Sequence, residues 1–245
     1  MNVQEATTRR LPDLKGRYLP ENCRETINTI LKETYGYEQF RNLEIYDDLS
    51  KGKEKLCISQ GQLIENVILE AEKAWKGETQ VDNILLTAPT GSGKSLLFQL
   101  PAIYLGKEYN LLTIVVSPLK ALIVDQVESL QELGYTRVAY ASSDLSPEQK
   151  MEVYRQVREG EIDLFYLSPE LLLSYDIKHF VGERRIGLVV VDEAHTVTTW
   201  GKEFRVDYWF LGRYLTALKQ TLGYNFPLFA LTATAVWNPQ RGNDM

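Results

Sequence analysis

The chain reads as an α/β protein with a mostly parallel sheet, helices on both of its faces, and a small helical region ahead of it. Three observations point there. From Asn83 onward, short apolar runs alternate with helix-length amphipathic stretches. The runs are rich in Val, Ile and Leu without polar alternation, as strands buried on both faces require. The first run, Ile84–Thr87, breaks into a glycine-rich turn that ends in Lys94-Ser95, where a helical stretch begins.

In chain order, strands are expected at Ile84–Thr87, Leu111–Val116, Arg137–Tyr140, Ile162–Leu167, Leu188–Val191 and Leu228–Leu231. Helical patterns lie between them at 94–105, 119–132, 147–158, 169–173 and 206–220. Pro101 should kink the first helix or mark its weak point, because proline cannot donate to the preceding turn. Ser146-Pro147-Glu148 is a strong helix start, with a serine cap and proline at the first helical position. Ahead of the sheet, Glu21–Tyr35 and Gln62–Trp75 carry helical periodicity. A polar segment holding Asp47, Asp48 and Lys51-Gly52-Lys53 joins them. Residues 1–56 are therefore read as a helical appendage and 57–245 as the sheet domain, with residues 1–20 loosely held.

Composition narrows the class. At 245 residues the chain can bury a substantial core, and 44% hydrophobic with 24% charged residues is ordinary for a water-soluble domain. No apolar run approaches the ~20 residues of a membrane helix, so no membrane partner is expected. The N-terminus has no apolar segment of the signal-peptide kind. Two cysteines, Cys23 and Cys57, stand far apart without histidine partners, which argues against a zinc site or disulfide framework and fits an intracellular protein. The net charge of −6 disfavours a general nucleic-acid coat but leaves room for a local binding groove.

The stretch Ile84-Leu85-Leu86-Thr87-Ala88-Pro89-Thr90-Gly91-Ser92-Gly93-Lys94-Ser95 has the makings of a triphosphate site. Gly91 and Gly93 let the backbone curl with its N–H groups inward, around Thr90 and Ser92. A helix starting there aims its positive end at the same point. Lys94 would reach the β- and γ-phosphates and the Ser95 hydroxyl would complete a Mg²⁺ shell. The strict motif has glycine where this chain has Ala88. About a hundred residues on, the run Leu188–Val191 leads straight into Asp192-Glu193-Ala194-His195. A carboxylate at the C-terminal end of a buried parallel strand lies where α/β sheets bind ligands. Asp192 would hold Mg²⁺ through its water shell, and Glu193 would orient or deprotonate the attacking water. His195 is placed to link this site to neighbouring loops.

These two elements, with Leu231-Thr232-Ala233-Thr234-Ala235, resemble the first RecA-like motor lobe of superfamily 2 DEAH-box helicases, a P-loop NTPase domain. The finer spelling looks most like the RecQ-type DNA helicases. Ser117-Pro118-Leu119-Lys120-Ala121-Leu122-Ile123-Val124-Asp125-Gln126 is similar to their motif Ia. Tyr166-Leu167-Ser168-Pro169-Glu170-Leu171-Leu172 is similar to their Tyr-x-x-Pro-Glu-Arg-Leu element, with Leu171 in place of arginine. The most specific match is His195 to Tyr208, with its Trp200-Gly201-x-x-Phe204-Arg205 spacing. It resembles the aromatic-rich loop that senses single-stranded DNA and signals to the ATP site.

The resemblance covers about residues 57–236 and implies ATP and Mg²⁺ as cofactors and single-stranded or forked DNA as partner. It also implies 3′-to-5′ movement and a second RecA-like lobe beyond residue 245, without which this chain should bind nucleotide weakly and hydrolyse it poorly. Adenine reading by the family's Gly-Gln element maps onto Gly61-Gln62, with Gln60 as fallback and a merely solvated glutamine as the plain reading. Trp200 and Phe204 would stack on unpaired bases beside Arg205, unless they are core residues. Ser117, Lys120, Gln126 and Ser168 could track a phosphate backbone, though each alone is an ordinary cap or turn residue. Thr232 and Thr234 would couple nucleotide state to strand movement. His179, Cys23 and Cys57 are read as structural. Two other functions stay open, an ATP-gated nucleic-acid clamp that does not unwind and an RNA helicase.

Overall fold

In the computed structural model, the described residues are 22–46, 55–88, 90–194, 206–233, 237–238 and 242–243. Six strands form one parallel sheet: β3 (Ile84–Thr87), β4 (Leu112–Val116), β5 (Val138–Ala141), β6 (Leu164–Leu167), β7 (Ile186–Val191) and β8 (Leu228–Thr232). Their spatial order is β3-β8-β7-β4-β6-β5, so the chain enters at one edge, crosses to the other half and returns to fill the middle. Every pairing within this sheet is parallel.

Side chains alternate between two cores, one on each face. Val115, Tyr166, Leu188, Val190, Phe229 and Leu231 pack on one side, beneath the helices α1 (Glu25–Tyr35), α2 (Gln60–Trp75), α3 (Leu96–Tyr109) and α4 (Lys120–Glu132). Ile114, Val116, Phe165, Leu167, Val189 and Val191 pack on the other, beneath α5 (Pro147–Arg158), α6 (Pro169–Ser174), α7 (Ile177–Val181) and α8 (Val206–Leu222). Burial on both faces explains why the strands lack polar alternation. Helix α3 is buried nearly all round, which is why its sequence shows no polar face. It runs unbroken through Pro101 from Leu96 to Tyr109 and stops at Asn110, whose φ of 52° is left-handed. Helix α5 starts as expected: Ser146 Oγ accepts from Gln149 N at 3.2 Å, and Gln149 Oε1 accepts from Ser146 N at 2.8 Å.

The N-terminal region departs from a purely helical reading. The segment after α1 holds an antiparallel pair, β1 (Asn42–Tyr46) and β2 (Lys55–Ser59), with Leu43 opposite Ile58. Alternation of Leu43 with Ile45 and of Leu56 with Ile58 is the sequence basis, hidden by the charged residues between the strands. Two further two-residue strands, β9 (Trp237–Asn238) and β10 (Gly242–Asn243), pair antiparallel.

Two ionic clusters tie the layers together. The Arg24 guanidinium bridges Glu65 at 2.6 Å and Glu72 at 2.6 Å, and Tyr109 Oη donates to Glu72 at 2.9 Å. This fastens the entry to α1 onto α2 and α3. In the second cluster, the wholly buried Asp163, just before β6, accepts from Arg137 Nε at 2.6 Å, from Tyr135 Oη at 2.7 Å and from the Arg184 guanidinium at 3.1 Å. Arg184 also donates to the carbonyls of Val157 and Ile162. Three donors on one carboxylate offset the cost of burying its charge.

Candidate nucleotide site

The site lies at the C-terminal edge of the sheet, where β3 and β7 flank β8. Strand β3 pairs with β8 through Thr87 opposite Thr232, and the ladder extends one residue as Ala88 N donates to Thr232 O at 3.0 Å. The chain then leaves the sheet and turns. Gly91 and Gly93 take φ of 80° and 79°, left-handed values that other residues adopt only with strain. At Gly91 an added Cβ would meet nothing within 4 Å, so the loop opens outward there. At Gly93 it would lie 2.6 Å from Gln60 Nε2, so close packing as well as φ requires glycine. Thr90 and Gly91 are exposed, whereas Ser92, Gly93, Lys94 and Ser95 are half-buried. Helix α3 follows at once, with Leu96 N donating to Gly93 O at 3.2 Å and Leu97 N to Lys94 O at 3.0 Å. Ser95 makes no side-chain capping bond to this helix. Lys94 Nζ folds back to Ala88 O at 3.0 Å, so its ammonium lies across the mouth of the loop.

The acidic element is stitched in on both sides. Asp192 N donates to Val116 O of β4 at 2.9 Å, and Ala194 N donates to Leu231 O of β8 at 2.8 Å. Between them Glu193 has φ of 49°, a left-handed value for a residue with a full side chain. Its N–H donates to Asp192 Oδ1 at 2.9 Å. Asp192 is only 6% exposed. Burial first, then the neighbouring Glu193 charge, push its carboxyl above the usual range, while the Lys94 ammonium and a Gln126 side-chain hydrogen bond pull the other way. Ala88, at the head of the glycine-rich loop, and Ala194, at the end of the acidic turn, hold consecutive carbonyls of β8, Thr232 and Leu231, so the two motifs, far apart in sequence, meet at one sheet edge.

A divalent cation would find the Ser95 hydroxyl and the Asp192 carboxylate here. Among the described residues no cluster of three or more His, Cys, Asp or Glu side chains could hold a metal. One carboxylate and one hydroxyl suit Mg²⁺, which keeps several waters and is commonly completed by phosphate oxygens. The chemistry of these donors, a hydroxyl after β3 and a carboxylate after β7 beside a loop that is open at Gly91, is of the kind a magnesium-nucleotide takes.

Several expected contacts take other forms. Gln62 is the third residue of α2, and its Oε1 accepts from Ser59 N at 3.0 Å in a capping box. Gln60, 2% exposed, is the glutamine that reaches the glycine-rich loop: Nε2 donates to Ser92 O at 3.0 Å while Oε1 accepts from Arg41 N at 3.1 Å. Ser-x-x-Gln at a helix start was the signal for the cap. Ser117 is 1% exposed, its hydroxyl buried without a hydrogen-bond partner among the described residues, so it does not present itself to a ligand at the surface. Gln126 is half-buried and accepts at Oε1 from Tyr166 Oη at 3.1 Å, so its amide oxygen is engaged within the domain. Ser168 caps α6, accepting from Leu171 N at 3.3 Å. Lys120 stays accessible and pairs with Asp144. Thr232 is fully buried at the end of β8. His195, Trp200, Phe204, Arg205 and Thr234 lie outside the described residues.

The sequence matches the DEAD/DEAH box helicase family over residues 64–241. It is 35% identical over 217 residues to the ATP-dependent DNA helicase RecQ of Synechocystis sp., covering 86% of this chain and 38% of that protein. It is 32% identical over 207 residues to the ATP-dependent DNA helicase RecQ of Bacillus subtilis, covering 84% of this chain and 29% of that protein. The chain thus spans between a quarter and two fifths of the length of these relatives. Among solved structures, the helicase MrfA bound to DNA and AMPPNP superposes with a TM-score of 0.57 at 21% identity, over 92% of this chain and 28% of that one. That likeness concerns the fold.

Proposed function

The chain belongs to the DEAD/DEAH box helicase family, and from that premise we propose that it is the first motor lobe of an ATP-dependent DNA helicase or translocase of the RecQ type. The observation that carries this reading is the meeting of the Lys94 loop and the Asp192-Glu193 turn across β8 at one edge of the sheet. The names of its relatives, DNA helicases in both cases, support the choice of substrate.

In this account Lys94 leaves Ala88 O and pairs with the β- and γ-phosphates of ATP, whose oxygens also accept from the loop N–H groups and the end of α3. Ser95 and Asp192 would hold Mg²⁺, which when bound would neutralise charge on the phosphates. Glu193, held in a left-handed conformation one residue beyond the metal ligand, accepts a proton from the attacking water. Gln60 fixes the loop from below through Ser92 O. Adenine pairing by Gln62 would require its amide oxygen to leave Ser59 N. Trp200, Phe204 and Arg205 take unpaired bases, Lys120 and Ser168 take backbone phosphates, and Thr232 with Thr234 passes nucleotide state to the second lobe. That lobe supplies the charge that completes the site.

Strand displacement by protein carrying both lobes tests this. Unwinding of a 3′-tailed DNA duplex that is abolished by Lys94→Ala and by Glu193→Gln supports the motor. Nucleotide-dependent DNA retention without displacement would replace it with the clamp, and stimulation by RNA strands alone would replace it with an RNA helicase.

A further inference from the structure

Strands β1 and β2 form a ribbon whose base is closed by a side chain. The register that pairs Asn42 with Ser59 brings Arg41 and Gln60 opposite each other as the next rung. Half of that rung is ordinary: Gln60 N donates to Arg41 O at 2.9 Å. The other half is not, because Gln60 is the first residue of α2 and its carbonyl lies along that helix. The Gln60 side chain supplies the acceptor instead, and Arg41 N donates to Oε1 at 3.1 Å. The nitrogen of the same amide reaches the glycine-rich loop, where Nε2 donates to Ser92 O at 3.0 Å. One buried amide joins the foot of the ribbon to the loop.

Close packing leaves this joint little slack. A Cβ added at Gly61 would lie 2.7 Å from the Phe40 ring and 3.2 Å from Cys23 Cβ, so the start of α2 sits hard against the approach to β1. One added at Gly93 would lie 2.6 Å from Gln60 Nε2. Leu43 of β1 is buried in the core, opposite the buried Ile58 of β2. A buried amide is costly unless both of its ends are hydrogen-bonded, and here both are. The consequence at the loop follows from the planar trans peptide, whose C=O and N–H lie on opposite sides. Holding Ser92 O against Gln60 turns the Gly93 N–H away from α2.

We infer that Gln60 is a positioning residue that aims the Gly93 N–H at the phosphates and makes that aim depend on the β1–β2 ribbon, so that the N-terminal region sets nucleotide affinity. The inference rests on the proposed nucleotide site and deepens it. It gives Gln60 no contact with the base. Loss of the amide should therefore weaken every triphosphate alike, whatever base it carries.

Calorimetry of the full 245-residue chain tests this, with ATP, GTP and base-free tripolyphosphate as ligands, each with Mg²⁺. Gln60→Met keeps the length of the side chain and removes both hydrogen bonds. Gln60→Glu keeps the acceptor for Arg41 N and removes the donor to Ser92 O. Each should lower affinity about 10-fold, the lower end for a hydrogen bond to a charged group, and by the same factor for all three ligands. A fold defect lowers the number of binding sites, whereas lost positioning lowers the affinity of each, and calorimetry reads the two separately. In a third variant Gly-Gly replaces residues 43–58, joining the paired Asn42 and Ser59 by a two-residue turn. Its affinity should also fall, and Gln60→Met should add less there than in the full chain. Loss confined to ATP would make Gln60 a base reader and overturn the proposal. Unchanged affinity in Gln60→Met, or full affinity without the ribbon, would overturn it too while Lys94-dependent binding left the site standing. A wild type that binds none of the three ligands would remove the nucleotide site itself, and this support with it.

Discussion

Glu193→Gly should make the protein more stable and nearly inactive at once. Glu193 holds φ of 49°, where the Cβ of an ordinary residue crowds its own backbone. Such a conformation costs about 1–2 kcal/mol. Glycine relieves that cost but loses more freedom on folding, which returns roughly 0.5–1 kcal/mol. The net gain is therefore about 0–1.5 kcal/mol, or a rise of up to about 6 °C in Tm for a chain of this length. If Glu193 takes a proton from water as proposed, its loss should cut hydrolysis by about 10²–10⁴-fold. Thermal unfolding of the isolated chain reads the first effect, and steady-state ATP hydrolysis by two-lobed protein reads the second. Glu193→Gln is the control: it keeps the backbone conformation and most side-chain contacts, so its Tm should stay near wild type while its rate falls as far. A Tm lowered by glycine but not by glutamine would refute the strain, and a glutamine variant that hydrolyses normally would refute the role of the carboxylate.

Away from the nucleotide, Asp163→Ala should cost about 3–5 kcal/mol in urea unfolding, because Arg184, its side chain only 4% exposed, is left with a buried uncompensated charge. Retention of wild-type stability would show that the cluster contributes no net energy. Gly106→Ala should lose about 1–3 kcal/mol, since the new methyl overlaps the Asp163 carboxyl, and an unchanged urea midpoint would contradict the close packing. Acid should loosen the N-terminal region. Burial raises the Glu72 pKa, but hydrogen bonds from Arg24 and Tyr109 outweigh it and leave the carboxyl below its ordinary value. The stability from this group is present above the unfolded value of about 4.3 and is lost as pH falls through the lower folded one. Glu72→Gln should flatten the acid limb of a Tm-versus-pH curve, and an identical slope would refute the assignment.

Most of the sheet was legible because its strands are apolar runs bounded by turns. Ile84–Thr87 is found at its expected limits, and β7 extends two residues earlier than its Leu188 start. The glycine at 187 hid that extension. It reads as a strand breaker, yet in the fold it makes room for Leu111, whose Cβ would lie 2.7 Å from an added methyl. The glycine-rich loop after β3 and the acidic turn after β7 were equally visible as local sequence patterns, a glycine run before a helix and carboxylates at a strand end. What was hidden depends on tertiary partners. Gln60 and Gln62 sit two residues apart at a helix start, and only the neighbours Ser92 and Ser59 decide which meets the loop and which caps. Gln126 looked like a surface contact because half of an amphipathic helix faces solvent, and no local rule pairs its amide oxygen with the Tyr166 hydroxyl. The β1–β2 pair was masked by the polar residues between its two short strands.

A double-mutant cycle on magnesium-nucleotide affinity bears most directly on whether the loop after β3 and the turn after β7 form one site. Calorimetry of wild type, Lys94→Ala, Asp192→Asn and the double variant supplies the four values. Groups acting on one bound nucleotide couple, so the double loss should differ from the sum of the single losses by about 0.5–3 kcal/mol. Strict additivity, or binding indifferent to both substitutions, would place the two motifs in separate sites and contradict the account.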